Sequence, residues 1–206
     1  MNKKKLQRLW PPVGLVMYAL FLMPYFFSAC STLPKFSGEA DLCGLIVDEN
    51  NSPVKDFIVF CRNDMETYRT ALTDENGMFV VHDVTSGVYK ISGRRKNFRK
   101  LDETEFLFTD RNRIFCCQIE SIEGTFKSVE KLMLRGERKN AEELLDKICY
   151  DKKTPQEAVI LVYKFFLTEK QKEKKKLIAA LRKIGRIEDV DYSKYADSME
   201  VFINEN

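Results

Sequence analysis

The chain has 206 residues, 44% hydrophobic and 32% charged, with 9 glycines and 6 prolines, so it is neither collagen-like nor wholly disordered. Lysine and arginine total 34 against 31 acidic residues, and a formal net charge of +3 does not indicate nucleic-acid binding. A single histidine excludes every site that needs two imidazoles, such as the zinc centre of HExxH proteases.

Residues 1–29 have the pattern of a secretory signal. The segment contains no acidic residue and opens with four cations, which are Lys3, Lys4, Lys5 and Arg8. An apolar run follows over residues 9–27, and its prolines disfavour a permanent spanning helix. The cations stay on the cytoplasmic side while the apolar run enters the bilayer. We therefore predict that residues 1–29 are a signal peptide and not part of the folded protein.

The end of this segment, Phe27-Ser28-Ala29-Cys30, resembles the lipobox of bacterial lipoproteins, with small residues at the two positions before the cysteine. The resemblance implies that Cys30 receives a diacylglycerol, that the signal peptide is cut before it, and that the new amine accepts a further acyl chain such as palmitate. Two or three acyl chains hold a protein stably on a bilayer. We therefore expect a lipid-anchored, extracytoplasmic protein of the bacterial cell envelope, and Ser31 favours the outer over the inner membrane.

Residues 30–40 mix small, polar, proline and glycine residues, which predicts a lipidated tether. Residues 41–121 contain short apolar runs separated by turn signals, which predicts strands. The turn Asp74-Glu75-Asn76-Gly77 is typical of a hairpin. The predicted strands are Asp41–Val47, Phe57–Arg62, Thr67–Leu72, Met78–His82, Val88–Gly93, Glu105–Phe108 and Ile114–Ile119.

Several pieces of residues 41–120 resemble the carboxypeptidase regulatory-like domain. They are Gly44-Leu45-Ile46-Val47-Asp48, Pro53-Val54, Thr73-Asp74-Glu75-Asn76-Gly77-Met78-Phe79 and Gly87-Val88-Tyr89-Lys90-Ile91. The resemblance implies a seven-stranded, transthyretin-like β-sandwich over residues 41–121 and an accessory role without catalytic residues.

Both faces of the first two predicted strands are apolar. Leu42, Ile46 and Val59 are expected in the interior, with Gly44 allowing a close approach to the first strand. The alternate positions are apolar as well; they are Leu45, Val47, Ile58 and Phe60. Either the C-terminal helices cover this second face, or it is an exposed patch that binds a partner.

Residues 122–206 show apolar residues at helical spacing and predict a helical domain. Thr154-Pro155-Gln156-Glu157 is a strong helix start, with Val159, Val162, Tyr163 and Phe166 following on one face. Residues 169–184 and 192–202 predict two further helices. Residues 141–148 and 177–184 are alike, at an offset that resembles tetratricopeptide repeats. The prediction is thus an α+β chain whose helices form either a bundle or repeat-like hairpins.

Reactive side chains are sparse. His82 is interpreted as a surface or edge histidine, and Asp74-Glu75-Asn76-Gly77 as a turn and not a calcium loop. No CxxC motif occurs, and the cysteines are interpreted mainly as small core residues, with a bridge from Cys43 to Cys116 or Cys117 left open. The cysteines after Cys30 are Cys43, Cys61, Cys116, Cys117 and Cys149. We expect no catalytic residue, no metal site and no cofactor.

Charge is unevenly distributed over the helical part. Residues 164–186 contain nine cations and two acidic residues, whereas residues 187–206 contain six acidic residues and one cation. The two blocks either attract each other within the fold, or the basic helix faces anionic lipid headgroups, or the helix face is simply solvated.

These patterns together predict a membrane-tethered envelope lipoprotein that is not an enzyme. We expect a binding or structural module for protein or glycan, with the bilayer contacted through acylated Cys30 and a protein partner in the envelope. The alternative is an accessory subunit that recruits an envelope enzyme or a secretion complex through its helices.

Overall fold

A computed structural model describes residues 36–63 and 68–205, and these described residues belong to one compact unit. The fold is mixed α+β, as the sequence predicts. The larger strands are β1 (Glu39–Val47), β2 (Ile58–Asn63), β3 (Tyr68–Leu72), β4 (Met78–Thr85), β5 (Gly87–Arg94), β7 (Leu101–Phe108) and β8 (Phe115–Gln118). The two-residue strands are β6 (Phe98–Arg99), β9 (Ile148–Cys149), β10 (Arg186–Ile187) and β11 (Val190–Asp191). The described helices are α1 (Ile122–Leu134), α2 (Arg138–Asp146), α3 (Pro155–Leu167), α4 (Gln171–Ile184) and α5 (Tyr192–Glu205).

The larger strands form two sheets, in the orders β4-β1-β8 and β3-β2-β5-β7. Only β1 and β8 are parallel among these neighbours; every other pair is antiparallel. Residues alternate in burial along β1, since Leu42 and Ile46 are buried whereas Leu45 and Val47 are half-buried. One hydrophobic core joins both sheets; its largest fully buried side chains include Phe57, Phe79, Phe108, Leu42, Ile46 and Ile91.

Two glycines in this core are required by close packing. A Cβ on Gly44 would lie 2.2 Å from the ring of Phe79, so the predicted close approach to the first strand is present. A Cβ on Gly93 would lie 2.3 Å from the ring of Phe57 and 2.6 Å from the carbonyl oxygen of Ile58. Aromatic rings therefore occupy the space that a side chain would need on each of the two central strands.

The outer face of the four-stranded sheet is screened by its own side chains. Phe60 is half-buried, and the guanidinium of Arg94 lies 5.8 Å from the centre of its ring. A shallow polar depression surrounds this ring; its lining includes Ser92, Lys100, Asp102 and Glu103. The second apolar face of β2 is thus covered in part by long charged side chains.

The helices pack consecutively around two cores. One core contains residues of α1, α2, α3 and β9, including Val129, Leu145 and Ile160. The other lies among α3, α4 and α5 and includes Phe165, Leu181 and Ala196. Because α3 contributes to both cores, it must be apolar on more than one side.

The helix ends follow the sequence signals closely. Thr154 Oγ1 accepts a hydrogen bond from the Glu157 amide at 3.3 Å, as the predicted cap requires. The chain leaves α4 through Gly185, whose φ is +71°, a conformation that favours glycine. The face of α3 that carries Val159 and Phe166 is the more exposed one, whereas Ala158, Leu161 and Phe165 are buried.

The sheets and helices are joined where α1 begins. Glu49, in the loop after β1, accepts hydrogen bonds from the Ser121 amide at 2.8 Å and from Ser121 Oγ at 2.5 Å. Ser121 in turn caps α1 by accepting from the Gly124 amide. The short strands β6 and β9 pair antiparallel, which fixes a second connection between the two parts.

Candidate functional site

A largely apolar surface cavity lies between α3 and α5. We call it the aromatic groove. It has a volume of about 300 Å³ and is lined by Val162, Phe165, Phe166, Tyr195, Ser198, Met199 and Phe202. The hydroxyls of Tyr195 and Ser198 are the only polar side-chain groups in this lining. Such a lining suits apolar groups of a ligand, because few polar groups are present to hydrogen-bond a sugar.

The helical period explains why the groove is open. Phe165 is 0% exposed and belongs to the core among α3, α4 and α5, whereas the next residue, Phe166, turns outward and is 51% exposed. On α5, Tyr195 and Phe202 are seven residues apart and therefore share a face; they are 57% and 47% exposed. Two neighbouring helices thus present apolar stripes that no other described element covers.

The rings of the groove hold one another in place. The centres of Phe165 and Phe166 lie 5.3 Å apart, and Phe202 lies 6.3 Å from Phe165 and 6.4 Å from Phe166, all in edge-to-face arrangements. On the inner side, the Lys174 ammonium lies 5.2 Å from the centre of the Phe165 ring. The exposed rings are therefore preorganised, which lowers the entropic cost of binding a partner.

One end of the groove is acidic. Tyr195 and Ser198 also line a neighbouring depression of about 330 Å³ that contains Asp189, Asp191 and Lys194. Asp191 Oδ1 accepts a hydrogen bond from the Ser193 amide at 3.1 Å, so this carboxylate is held at the start of α5. Two carboxylates against one ammonium leave a negative charge beside the apolar groove.

Two acidic residues of α5 share one cation within the fold. Arg182 on α4 donates to Asp197 at 2.7 Å and also pairs with Glu200. This confirms that part of the basic block and part of the acidic tail attract each other, as one of the sequence alternatives proposes. The acidic end at Asp189 and Asp191 remains outside this network.

The side chains considered for catalysis are not arranged as a reactive site. His82 is exposed and its Nδ1 lies 3.1 Å from Asp41 Oδ1, with the imidazole at the surface as the sequence suggests. Asp74 Oδ1 accepts from the backbone amides of Asn76 and Met78, so the turn uses this carboxylate itself. Within residues 36–63 and 68–205, no three His, Cys, Asp or Glu side chains are placed to hold a metal ion.

The five described cysteines are free thiols, and the disulfide from Cys43 to Cys116 or Cys117 is not formed. Burial raises the pKa of the Cys61 thiol to about 11, and it raises the pKa of Cys117 and of Cys149 as well. A raised pKa keeps these thiols protonated near neutral pH, and a protonated thiol is a poor nucleophile.

The predicted lipid attachment residue, Cys30, lies outside the described residues. The nearest described part of the predicted tether is Phe36, whose ring contacts that of Phe108 at 5.2 Å and lies beneath the Arg111 guanidinium. None of the helices α1–α5 is long and apolar enough to cross a membrane.

No protein-family model matches the chain, and no curated protein matches it. Solved structures align with parts of it. The TIE protein of Bacillus anthracis is 13% identical over 41% of this chain and 17% of its own, with a TM-score of 0.36. The major pilin subunit of Bacillus cereus is 16% identical over 40% of this chain and 29% of its own, with a TM-score of 0.33. The 3-chlorocatechol 1,2-dioxygenase of Rhodococcus opacus 1CP is 10% identical over 42% of this chain and 62% of its own, with a TM-score of 0.32.

The chain therefore spans less than two thirds of each of these proteins. TM-scores below 0.5 do not establish a shared fold, so the architecture rests on the strand order and cores described above.

Sequence reasoning did not identify the aromatic groove. One signal for it was available, because α3 is apolar or aromatic at every position of residues 158–163 and 165–167, which is more than a single helical face. Which of its stripes is left uncovered depends on where α4 and α5 pack, and the sequence does not specify this.

Proposed function

We propose that this chain is a lipid-anchored protein of the bacterial envelope that binds a protein partner through the aromatic groove and catalyses no reaction. Residues 41–121 would be a transthyretin-like sandwich and residues 122–206 a helical binding module. A diacylglycerol on Cys30 would hold both at the bilayer, with the outer membrane favoured. The observation that carries the binding role is the pair of exposed rings of Phe166 and Phe202, which pack on each other and on the buried ring of Phe165.

We commit to one kind of occupant, an amphipathic helix that carries a basic residue at one end. Grooves between helices accept apolar side chains at positions i, i+3 or i+4, and i+7 of such a helix. The acidic end of the groove, at Asp189 and Asp191, is complementary to a lysine or arginine beside the apolar stripe. The nearly apolar lining argues against a glycan at this site.

The groove also supports the accessory role, in which the partner is an envelope enzyme or a secretion complex. Both roles use the same surface, since the groove belongs to the helices and not to the sandwich. They differ only in which protein is bound, so the identity of the cross-linked partner distinguishes them.

The binding role is tested with a photo-cross-linking phenylalanine analogue at position 202 of the full chain in cells. Leu72 on β3 is also exposed and apolar, and the same substitution there is the matched control. We expect one discrete protein adduct at position 202 that is lost in the Phe166→Ser variant and is not seen at position 72. An adduct pattern shared by both positions, or none at position 202, would exclude the groove as the binding site.

The lipid anchor is tested separately by labelling the full chain and its Cys30→Ala variant with radioactive palmitate and fractionating the membranes. Label on the parent and none on the variant is the expected result. If neither chain is labelled, the lipobox interpretation is wrong, whatever the groove binds.

A further inference from the structure

Helix α4 carries a row of lysines on the side opposite its core. In an α-helix successive residues turn by about 100°, so Lys172, Lys176 and Lys183 fall within about 40° of one another around the axis. Lys175 lies about 60° to one side of Lys172 by the same geometry. The buried residues Ile178, Leu181 and Ile184 lie on the opposite side. We call the four lysines the lysine stripe.

The lysine stripe is exposed and without ion pairs in the part of the chain that the structure describes. Other cations of the basic block are used within the fold, since Lys164 pairs with Asp146 and Arg182 pairs with Asp197 and Glu200. Lys174, between the lysines of the stripe, is turned inward against Phe165. The four stripe lysines therefore keep their full charge at the surface over about 17 Å of helix, at 1.5 Å per residue.

The lysine stripe and the aromatic groove face different ways. The groove opens between α3 and α5 and has no lining residue from α4. The stripe lies on the side of α4 that is turned from the core shared with those two helices. A surface that binds the stripe would leave the groove open.

We propose that the lysine stripe binds the anionic phospholipid headgroups of a bilayer and so orients the groove away from the membrane. Each lysine near an anionic bilayer adds to the electrostatic attraction between protein and membrane, and no shaped pocket is required. No aromatic residue occurs on α4, so the stripe lacks the stacking platform with which proteins hold single-stranded nucleic acid. The choice of a membrane rests also on the proposed lipid anchor.

The test uses residues 31–206, which contain the whole compact unit of residues 35–206 and lack Cys30, so failure of the anchor cannot affect it. Binding is measured by co-sedimentation with vesicles of phosphatidylglycerol and phosphatidylcholine, at a ratio of about 1:2, and with pure phosphatidylcholine vesicles. We expect binding only to the anionic vesicles, with a loss of at least about tenfold when salt rises from about 0.05 to 0.5 M.

The variant replaces Lys172, Lys175, Lys176 and Lys183 by Gln. The matched control replaces four exposed lysines outside α4 and loses the same net charge; they are Lys127, Lys131, Lys139 and Lys152. We expect the affinity of the stripe variant for anionic vesicles to fall at least about tenfold and that of the control to fall less than about threefold. A variant with arginine at all four stripe positions should bind like the parent, because it keeps the charge.

Three results would overturn the proposal. They are absence of binding by the parent to anionic vesicles at low salt, equal losses in the stripe and control variants, and displacement of the vesicles by a single-stranded RNA at a lower phosphate concentration. Circular dichroism of each variant confirms that the fold is retained, which is expected because every replaced side chain is exposed.

Discussion

Phenylalanine has opposite uses in the two parts of this molecule. In the sheets, Phe57, Phe79 and Phe108 are fully buried, and two central glycines make room for their neighbours' rings. In the helices, Phe165 is buried but Phe166 and Phe202 are half exposed, although the three rings touch. The same residue type therefore stabilises the first region and forms a surface in the second.

The difference follows from how the sheets and the helices bury their apolar faces. Each strand of a two-sheet structure has one face directed at the opposite sheet. Alternate residues are therefore buried, because successive side chains point to opposite faces of the strand. A helix that is apolar on several sides needs several neighbours, and among the described elements none covers the side of α3 that carries Phe166. The rings exposed there are held in a fixed arrangement by their contacts with one another, and this is why we propose them as a binding surface.

The largest expected effect is in the sheet core. Phe108→Ala removes a ring that contacts those of Phe36, Tyr89 and Phe106, and should lower the free energy of unfolding by about 3–5 kcal/mol. The matched change Phe202→Ala should cost less than about 1 kcal/mol, because that ring is half exposed. Urea unfolding of both variants checks this, and equal losses would remove the distinction between the two regions.

A pair of buried threonines gives the next effect. Thr73 Oγ1 donates to the Val54 carbonyl and accepts from the Phe57 amide, so Thr73→Val leaves two buried backbone groups unpaired and should cost about 1–3 kcal/mol. Thr125 on α1 only adds a second donor to the Ser121 carbonyl, which also accepts from the Thr125 amide.

Thr125→Val should therefore cost less than about 0.5 kcal/mol, because no buried group loses its last partner. Thermal unfolding of both variants under the same conditions decides the comparison. A larger loss of stability for Thr125→Val than for Thr73→Val would show that the helical region depends on the Thr125 hydroxyl in a way that its hydrogen bonds do not explain.

Apart from the matched control variants, the smallest expected effect concerns the contact that joins the two regions. Burial by itself raises the pKa of the Glu49 carboxyl, but the hydrogen bonds from the Ser121 side chain and amide outweigh it, and the net pKa is lowered. A lowered pKa in the folded state stabilises the protein above the unfolded pKa, and this contribution is lost as pH falls through the folded value.

Glu49→Gln should therefore lower the free energy of unfolding by about 1–2 kcal/mol at neutral pH, with the difference from the parent shrinking below a pH of about 4.5. Denaturant unfolding at several pH values measures this difference in the free energy of unfolding. The control is Glu75→Gln, which removes an exposed ion pair with Lys55 and should leave stability unchanged. A difference that persists at low pH would mean that the carboxylate charge is not what stabilises the contact.

Local sequence signals were enough to predict the strand positions and most helix ends. Every predicted strand overlaps an observed one, because apolar alternation and turn residues act over a few neighbouring positions. The Thr154 cap and the Gly185 exit were found for the same reason, since each concerns a single turn of backbone. The sequence did not show which face of α3 is exposed, because helical spacing alone does not distinguish the faces of a helix that is apolar on several sides.

The sequence by itself determined the α+β class, the order of the elements and the excess of cations in the fourth helix. Only the tertiary structure decided which apolar and which charged residues are left at the surface. Phe166 is exposed because α4 and α5 cover other sides of α3, and Arg182 is neutralised because Asp197 and Glu200 come within reach across two helices. Both outcomes depend on contacts between residues far apart in sequence, and these form only when the helices pack.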